Sequence, residues 1–217
     1  MLSWICYSGY HPWFSHWISL NSNTNLSKSD HYRTLFLGRS IKDSTDPEDS
    51  EKKNQIFEEM LPYLPDPVPL DELLNALRQK FEEHPDAMLG EVGLDRSARV
   101  PINYLAEQRK LSPFTIPFDH QLAILEAQLS LAVAMRRNVS LHRYRKQSSL
   151  ALLLLIEVFS SVKSQKATVD LLNKMKDKFG RKWTNISVDL HSCGLSPETW
   201  QEIEVITIFL LVKFLVA

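Results

Sequence analysis

Apolar positions along this chain recur in two alternating rhythms, short continuous runs and helical repeats, and the alternation predicts an α/β protein with a parallel sheet. The first run, "LSWICYSGYHPWF", is aromatic-rich and ends at His11-Pro12. In "PLDELLNALRQKFEEH", Leu70, Leu73, Leu74, Leu77 and Phe81 fall at helical spacing, and Asp71 near the start favours the helix dipole. "DAMLGEVGLDRS" (Asp86 to Ser97) then reads as a strand closed by glycine. After a proline-containing loop, "FDHQLAILEAQLSLAVAMRR" repeats apolar residues at 118, 122, 125, 129, 132 and 133, one face of a long helix with Arg136 and Arg137 in its last turn.

Further on, "NVSLH" predicts a strand, "SSLALLLLIEVFSSV" a very apolar helix and "ATVDLLNKMKDKFGRKW" a second, more exposed helix. "NISVDLH" is another strand, "SPETWQEI" a short helix opened by Ser-Pro, and "VITIFLLV" a last strand. The segment 21–53 is different. It is polar, carries the charged run "DSTDPEDSEKK" and shows no periodicity, so it reads as an exposed, mobile insertion. No fixed-period repeat is present.

Bulk properties narrow the classes. With 217 residues and 44% hydrophobic content the chain suffices for one domain with a sizeable core. Lys plus Arg is 25 against 26 for Asp plus Glu, so the net charge of −1 supplies no overall pull toward nucleic acid, and such binding would need a local patch. Cys6 and Cys193 suggest no disulfide framework, and a reduced compartment, cytoplasm or nucleus, is expected. The start lacks a secretory signal. The end, apolar over residues 205–217 apart from Lys213, is too short for a span of about 20 residues, and no membrane association is expected.

Chemistry gathers at the strand ends. Glu91 follows "AMLG", His142 follows "NVSL" and His191 follows "ISVDL". In parallel α/β architectures the carboxyl ends of strands share one face, and a carboxylate with neutral imidazoles suits zinc or a similar divalent ion. Singly, each has a plainer reading: a hydrogen-bonded histidine, or a carboxylate paired with a nearby arginine. The repeated position favours the functional reading.

The motifs "GYHPWF" (9–14), "LGEVGLD" (89–95), "VSLHRYRKQ" (139–147) and "DLHSCG" (189–194) resemble, in order and spacing, those of TatD-type metal-dependent hydrolases of the amidohydrolase-like superfamily. The likeness extends to a fungal branch described as interactors of an anaphase-promoting-complex subunit. That resemblance covers roughly residues 5–203 and implies a (β/α)8 TIM-like barrel, of which about five or six parallel strands with outer helices would be present here. It implies phosphodiester hydrolysis, usually of DNA, with a divalent metal ion (Zn, Mg or Mn) as cofactor. It also implies a protein partner in a cell-cycle complex.

Position by position, Glu91 matches the family's metal-bridging carboxylate, and His142 and His191 match its two second-metal histidines. His11 matches a histidine near the site that does not bind metal, where it could contact substrate, with a loop histidine ordered by Pro12 as an equal alternative. Asp95 matches the end of the "GEVGLD" motif, where a role beside the ligands or in shaping the loop is implied. Arg143 and Arg145 stand where they could contact phosphate, though a solvated basic helix start is the plainer reading. The three tryptophans of residues 4–17 could stack on bases, but packing is the simpler explanation. The resemblance gives Cys193 no role.

There are departures from the family pattern. The chain contains no His-x-His pair, and Met1 stands eight residues before "GYHP", which leaves no room for the first strand. The late acidic motif is absent, and the apolar tail 205–217 replaces the segment expected there. The expectation is therefore a single domain truncated at both ends, holding at most one ion with impaired activity. The alternative is a non-catalytic barrel remnant that serves as a protein-interaction module.

Overall fold

The computed structural model describes residues 7–21, 27–43, 47–142 and 154–191, together with positions 201, 203 and 206. In chain order the elements are β1 (Tyr7–Ser8), a 3-10 helix (Pro12–Trp17), β2 (Ile18–Ser19), α1 (Lys28–Asp43), α2 (Pro47–Met60) and a 3-10 turn (Leu61–Tyr63). Then come β3 (Val68–Pro69), α3 (Leu70–Glu83), β4 (Met88–Gly93), β5 (Arg99–Pro101), β6 (Leu111–Thr115) and α4 (Phe118–Met135). The series ends with β7 (Val139–His142), α5 (Leu154–Phe179), a 3-10 helix (Gly180–Asn185) and β8 (Val188–His191).

These elements form two compact units. One comprises Met1–His11, Leu77–Leu94 and Leu125–Ala217, the other Pro12–Ala76 and Asp95–Ile124. The first holds a four-stranded sheet in the order β1-β4-β7-β8, with every neighbouring pair parallel. Parallel neighbours require crossovers, and the helices between the strands provide them. The architecture is mixed α/β, as read from the sequence, and is of a kind that TIM-like folds and open parallel sheets share.

Sheet residues Leu89, Val92, Val139, Leu141 and Val188 are all buried. From α4, Leu129, Ala132 and Val133 are buried, and from α5, Leu172 and Met175. The Arg137 Nη2 donates to the Phe81 carbonyl at 2.6 Å, satisfying an acceptor in the last turn of α3 that no helical N–H can reach. Where the apolar and exposed helices were expected separately, α5 runs unbroken from Leu154 to Phe179, because no glycine or proline interrupts it before Gly180.

Gly90 shows how closely the strands approach. A Cβ there would stand 3.0 Å from both Ser140 Cβ and Tyr7 Cδ1, side chains on the two strands flanking β4. Gly90→Ala should therefore lower stability by about 1–3 kcal/mol through overpacking. Urea unfolding would check this, and an unchanged midpoint would show that the strands can part at no cost.

In the second unit the core is aromatic. Tyr32, Phe36 and Leu37 from α1, Phe57 and Met60 from α2, and Val100, Ile102, Phe114 and Ile116 from the β5–β6 region form one buried cluster. Phe36 stacks between Tyr32 and Phe114 at centroid distances of 5.9 and 5.4 Å. β5 and β6 pair antiparallel, a hairpin in place of the expected loop.

The segment 21–53, expected as an irregular insertion, instead contains α1 and the start of α2. Ser27 caps α1, accepting the Asp30 amide at 3.1 Å and donating to the Asp30 carboxylate at 2.6 Å. The charge run "EDSEKK" forms i,i+4 ion pairs along α2, Lys52–Glu48 and Lys53–Asp49, which support a helix rather than a coil. The expected helix "SPETWQEI" lies largely outside the described residues. Of the strand expected from Val205, only Ile206 is described, and it is helical.

Candidate functional site

The parallel register determines which residues share a level. Gly93 of β4 aligns with His142 of β7, and His142 aligns with His191 of β8. Neighbouring strands lie about 4.8 Å apart, so the backbones of the two histidines are adjacent at the carboxyl ends of their strands. Glu91 lies on β4, the next strand over, two residues before Gly93. The register slips between Leu89 and Val92, a bulge-like irregularity that brackets Gly90 and Glu91 and breaks the strict alternation of sides.

Burial along β4 singles out the carboxylate. Leu89, Gly90, Val92 and Gly93 are buried, whereas Glu91 is exposed. The strand thus presents one ionised group without incurring the cost of burying it. The side chains of His142 and His191, and all of Arg143 and Arg145, lie outside the described residues. Among the described side chains, no group of three His, Cys, Asp or Glu is placed to hold a metal ion.

His11 is half-buried in the loop after β1. That loop is held by a residue the sequence reading passed over. Buried Gln128 of α4 accepts the Tyr10 amide at 2.8 Å, and its Nε2 donates to the Tyr10 carbonyl at 3.3 Å. An amide side chain can thereby act as a strand partner for a loop backbone. Gly9 lies tight against β4, where a Cβ would meet Val92 Cγ1 at 2.7 Å. The "GYH" spelling therefore has a steric reason.

In the second unit Asp95 is 4% exposed and fully occupied. Its Oδ2 accepts the Trp13 indole N–H at 2.5 Å, and its Oδ1 accepts both the amide and the hydroxyl of Ser97 at 2.7 Å. Gln121, two turns before Gln128 on α4, accepts the Asp95 amide at 2.8 Å and donates to the Asp95 carbonyl at 2.8 Å. The carboxylate therefore organises the loop between β4 and β5.

A group of buried histidines in the same unit was not anticipated. His31 Nε2 and His120 Nε2 each lie 2.9 Å from a carbonyl oxygen, of His16 and Ser15 respectively. A carbonyl only accepts, so both Nε2 atoms carry the proton. His16 Nε2 lies 2.9 Å from the Tyr104 hydroxyl, while its Nδ1 is buried with no hydrogen-bond partner among the described residues. Burial, then the nearby His120 and His31, lower the pKa of His16 to about 3. Burial likewise lowers those of His31 and His120. Three buried neutral imidazoles from separate segments leave no spacing signal in a sequence.

Comparison with known proteins supplies two relatives. The chain is 32% identical over 139 residues to Cut9-interacting protein scn1 of Schizosaccharomyces pombe, a match spanning 62% of this chain and 38% of that protein. It is 26% identical over 137 residues to Uncharacterized deoxyribonuclease YMR262W of Saccharomyces cerevisiae, again 62% of this chain and 38% of the relative. The matched region thus represents well under half of either relative's length. Both are fungal, and the two names agree with the resemblance read from the motifs. No protein-family profile matches the chain. Nor does any solved structure.

Proposed function

We propose that the chain is a TatD-type member of the metal-dependent hydrolases and that its chemistry is phosphodiester hydrolysis. The observation that carries this reading is the parallel register, which sets the His142 and His191 backbones side by side with the exposed Glu91 on the adjoining strand. The deoxyribonuclease name of the budding-yeast relative supports the substrate class.

The donor set fits a divalent ion. One exposed carboxylate and two imidazoles from neighbouring strands would hold a single Zn, Mg or Mn, with a coordination position left open. When bound, the ion supplies Lewis acidity toward a phosphoryl oxygen and an acidified water. The chain's own contribution is placement. Gly90 lets the three strands close up, and Gln128 fixes the backbone beside His11, which would then line the site. Arg143 and Arg145 would offer positive charge to the phosphate.

A second reading, a protein-interaction module without catalysis, is supported by the name of the fission-yeast relative. Among the described residues no helix is long and apolar enough to cross a membrane, and neither reading invokes one.

Elemental analysis with titration calorimetry distinguishes the two. The hydrolase reading expects about one ion per chain, weakened at least tenfold by Glu91→Ala or His191→Ala, and cleavage of a chromogenic phosphodiester lost with it. Absence of bound metal, or binding indifferent to both substitutions, would leave the interaction module standing.

A further inference from the structure

We infer that Asp189 is a further donor to the proposed divalent-ion site, standing opposite Glu91 across β7, so that two carboxylates join His142 and His191 in holding the ion. The inference rests on the metal-dependent reading above and adds a residue which that reading does not contain.

The placement follows from register. β7 and β8 align residue for residue, so "VSLH" lies against "VDLH" with Ser140 beside Asp189. In-register positions of neighbouring parallel strands share a side, and a strand repeats its side every second residue. Val139 and Val188 are buried apolar residues, and Ser140 and Asp189 mark the opposite, polar side. On the other flank of β7, Leu89 aligns with Val139 and Val92 with Leu141, which leaves Gly90 and Glu91 together opposite Ser140. Leu89 and Val92 both pair with apolar-side positions, so the two residues between them turn to the polar side. A Cβ at Gly90 would indeed meet Ser140 Cβ at 3.0 Å. Glu91, Ser140 and Asp189 therefore occupy one level of three adjacent strands. The backbones of Glu91 and Asp189 are two strand spacings apart, about 10 Å, and an ion over Ser140 would stand about 5 Å from each. A carboxylate side chain and a metal–oxygen bond of about 2 Å cover that span.

The state of Asp189 points to a cation. It is half-buried, and among the described residues it has neither a hydrogen bond nor an ion pair. A carboxylate drawn out of water without a partner is costly, and a bound cation removes that cost. The half-buried Glu126 of the same unit, by contrast, is paired with Lys174 and Lys178. Charge balance agrees. Two carboxylates with two neutral imidazoles neutralise a divalent ion, whereas Glu91 alone would cancel only half its charge. A second oxygen donor also extends the range of ions from Zn toward Mn and Mg, which prefer carboxylate.

The test is calorimetric titration of the full chain, freed of metal by chelator, with Zn2+, and with Co2+ as a coloured substitute. Asp189→Asn keeps the shape and removes the charge. It should weaken Zn2+ binding about tenfold or more at unchanged stoichiometry, and alter the visible Co2+ bands, which report the inner ligands. Asp177→Asn removes an exposed carboxylate of α5 and controls for charge alone, with an expected change under about twofold. Without metal, Asp189→Asn should melt at or above the wild-type temperature, because a carboxylate without a partner becomes a neutral amide. Its rise in melting temperature on adding Zn2+ should be smaller than that of the wild type. An equal loss in Asp177→Asn, or a metal-free melt of Asp189→Asn well below the wild type, would mark a general or structural carboxylate and overturn the inference. If Asp189→Asn matches the wild type in affinity and Co2+ spectrum while Glu91→Ala does not, only this inference falls. If binding needs both carboxylates but the loaded protein cleaves no phosphodiester, only the hydrolase reading falls. A wild-type chain that binds neither ion overturns both.

Discussion

Acidification from pH 7 to pH 5 should destabilise the unit built on residues 12–76 and 95–124 well before any carboxylate effect sets in. The cause is the buried group His16, His31 and His120. Each has its pKa lowered by burial, and that of His16 is near 3. In an unfolded chain a histidine titrates near 6.5, so below that pH the unfolded state takes up protons that the folded state refuses. The stabilisation is therefore complete above about pH 6.5 and is lost as the pH falls toward the folded value.

For His16 alone the loss is on the order of 2 kcal/mol by pH 5, and His31 and His120 add to it in the same direction. Mutual repulsion steepens the response, because the rings of His31 and His120 lie 6.5 Å apart and charging one opposes charging the other. Urea unfolding at stepped pH should show the midpoint sliding downward through this window. Hydrogen exchange should show early opening around Tyr32, Phe36 and Phe114. His16→Gln, a neutral polar replacement, should flatten the slope even if it lowers the starting stability. A midpoint constant across the window would mean that the imidazoles find charge-stabilising partners on protonation.

The second large effect is expected at Asp95. Asp95→Ala removes the acceptor for Trp13 and for both donors of Ser97 in one step. Bonds to a charged acceptor contribute more than neutral ones, although water can partly replace them at the exposed Trp13 and Ser97, so a cost of about 2–4 kcal/mol follows. Asp95→Asn keeps the shape and one carbonyl oxygen, and should cost roughly half as much. The Gln121 bridge to the Asp95 peptide survives both changes, so the damage should stay within the loop. Chemical denaturation reads the loss. A change under about 0.5 kcal/mol for the alanine variant would mean that the loop is held from elsewhere.

Much of this fold can be read from the chain because its strands and longer helices bury apolar residues at regular spacing. β4, β7, β8, α3 and α4 all announce themselves in that way, and the strand-end residues are visible because the same runs stop at them. What escaped notice has physical causes. Charged residues dominate 47–53, and the eye counts them as solvated coil, whereas their i,i+4 complementarity holds a helix whose other face buries Phe57 and Met60. Pro101 and Pro113 suggest a loop, yet a two-stranded pairing tolerates proline, and Ser112 and Phe114 alternate inward around the exposed Pro113. The glutamines of α4 look like solvent-facing positions on a helix. Only the loops they grip explain why Gln121 and Gln128 are buried.

Two of the five indoles differ sharply in their access to solvent. Trp183 is 2% exposed in the sheet-bearing unit, with its N–H given to the Ile206 carbonyl, while Trp13 stands open to quencher in the other unit. Emission from the first is shielded from acrylamide until its surroundings melt. Emission from the second is accessible to acrylamide from the outset. In a variant with Trp4, Trp17 and Trp200 changed to phenylalanine, one spectrum decomposed by quencher access would therefore follow the two units separately without any added label.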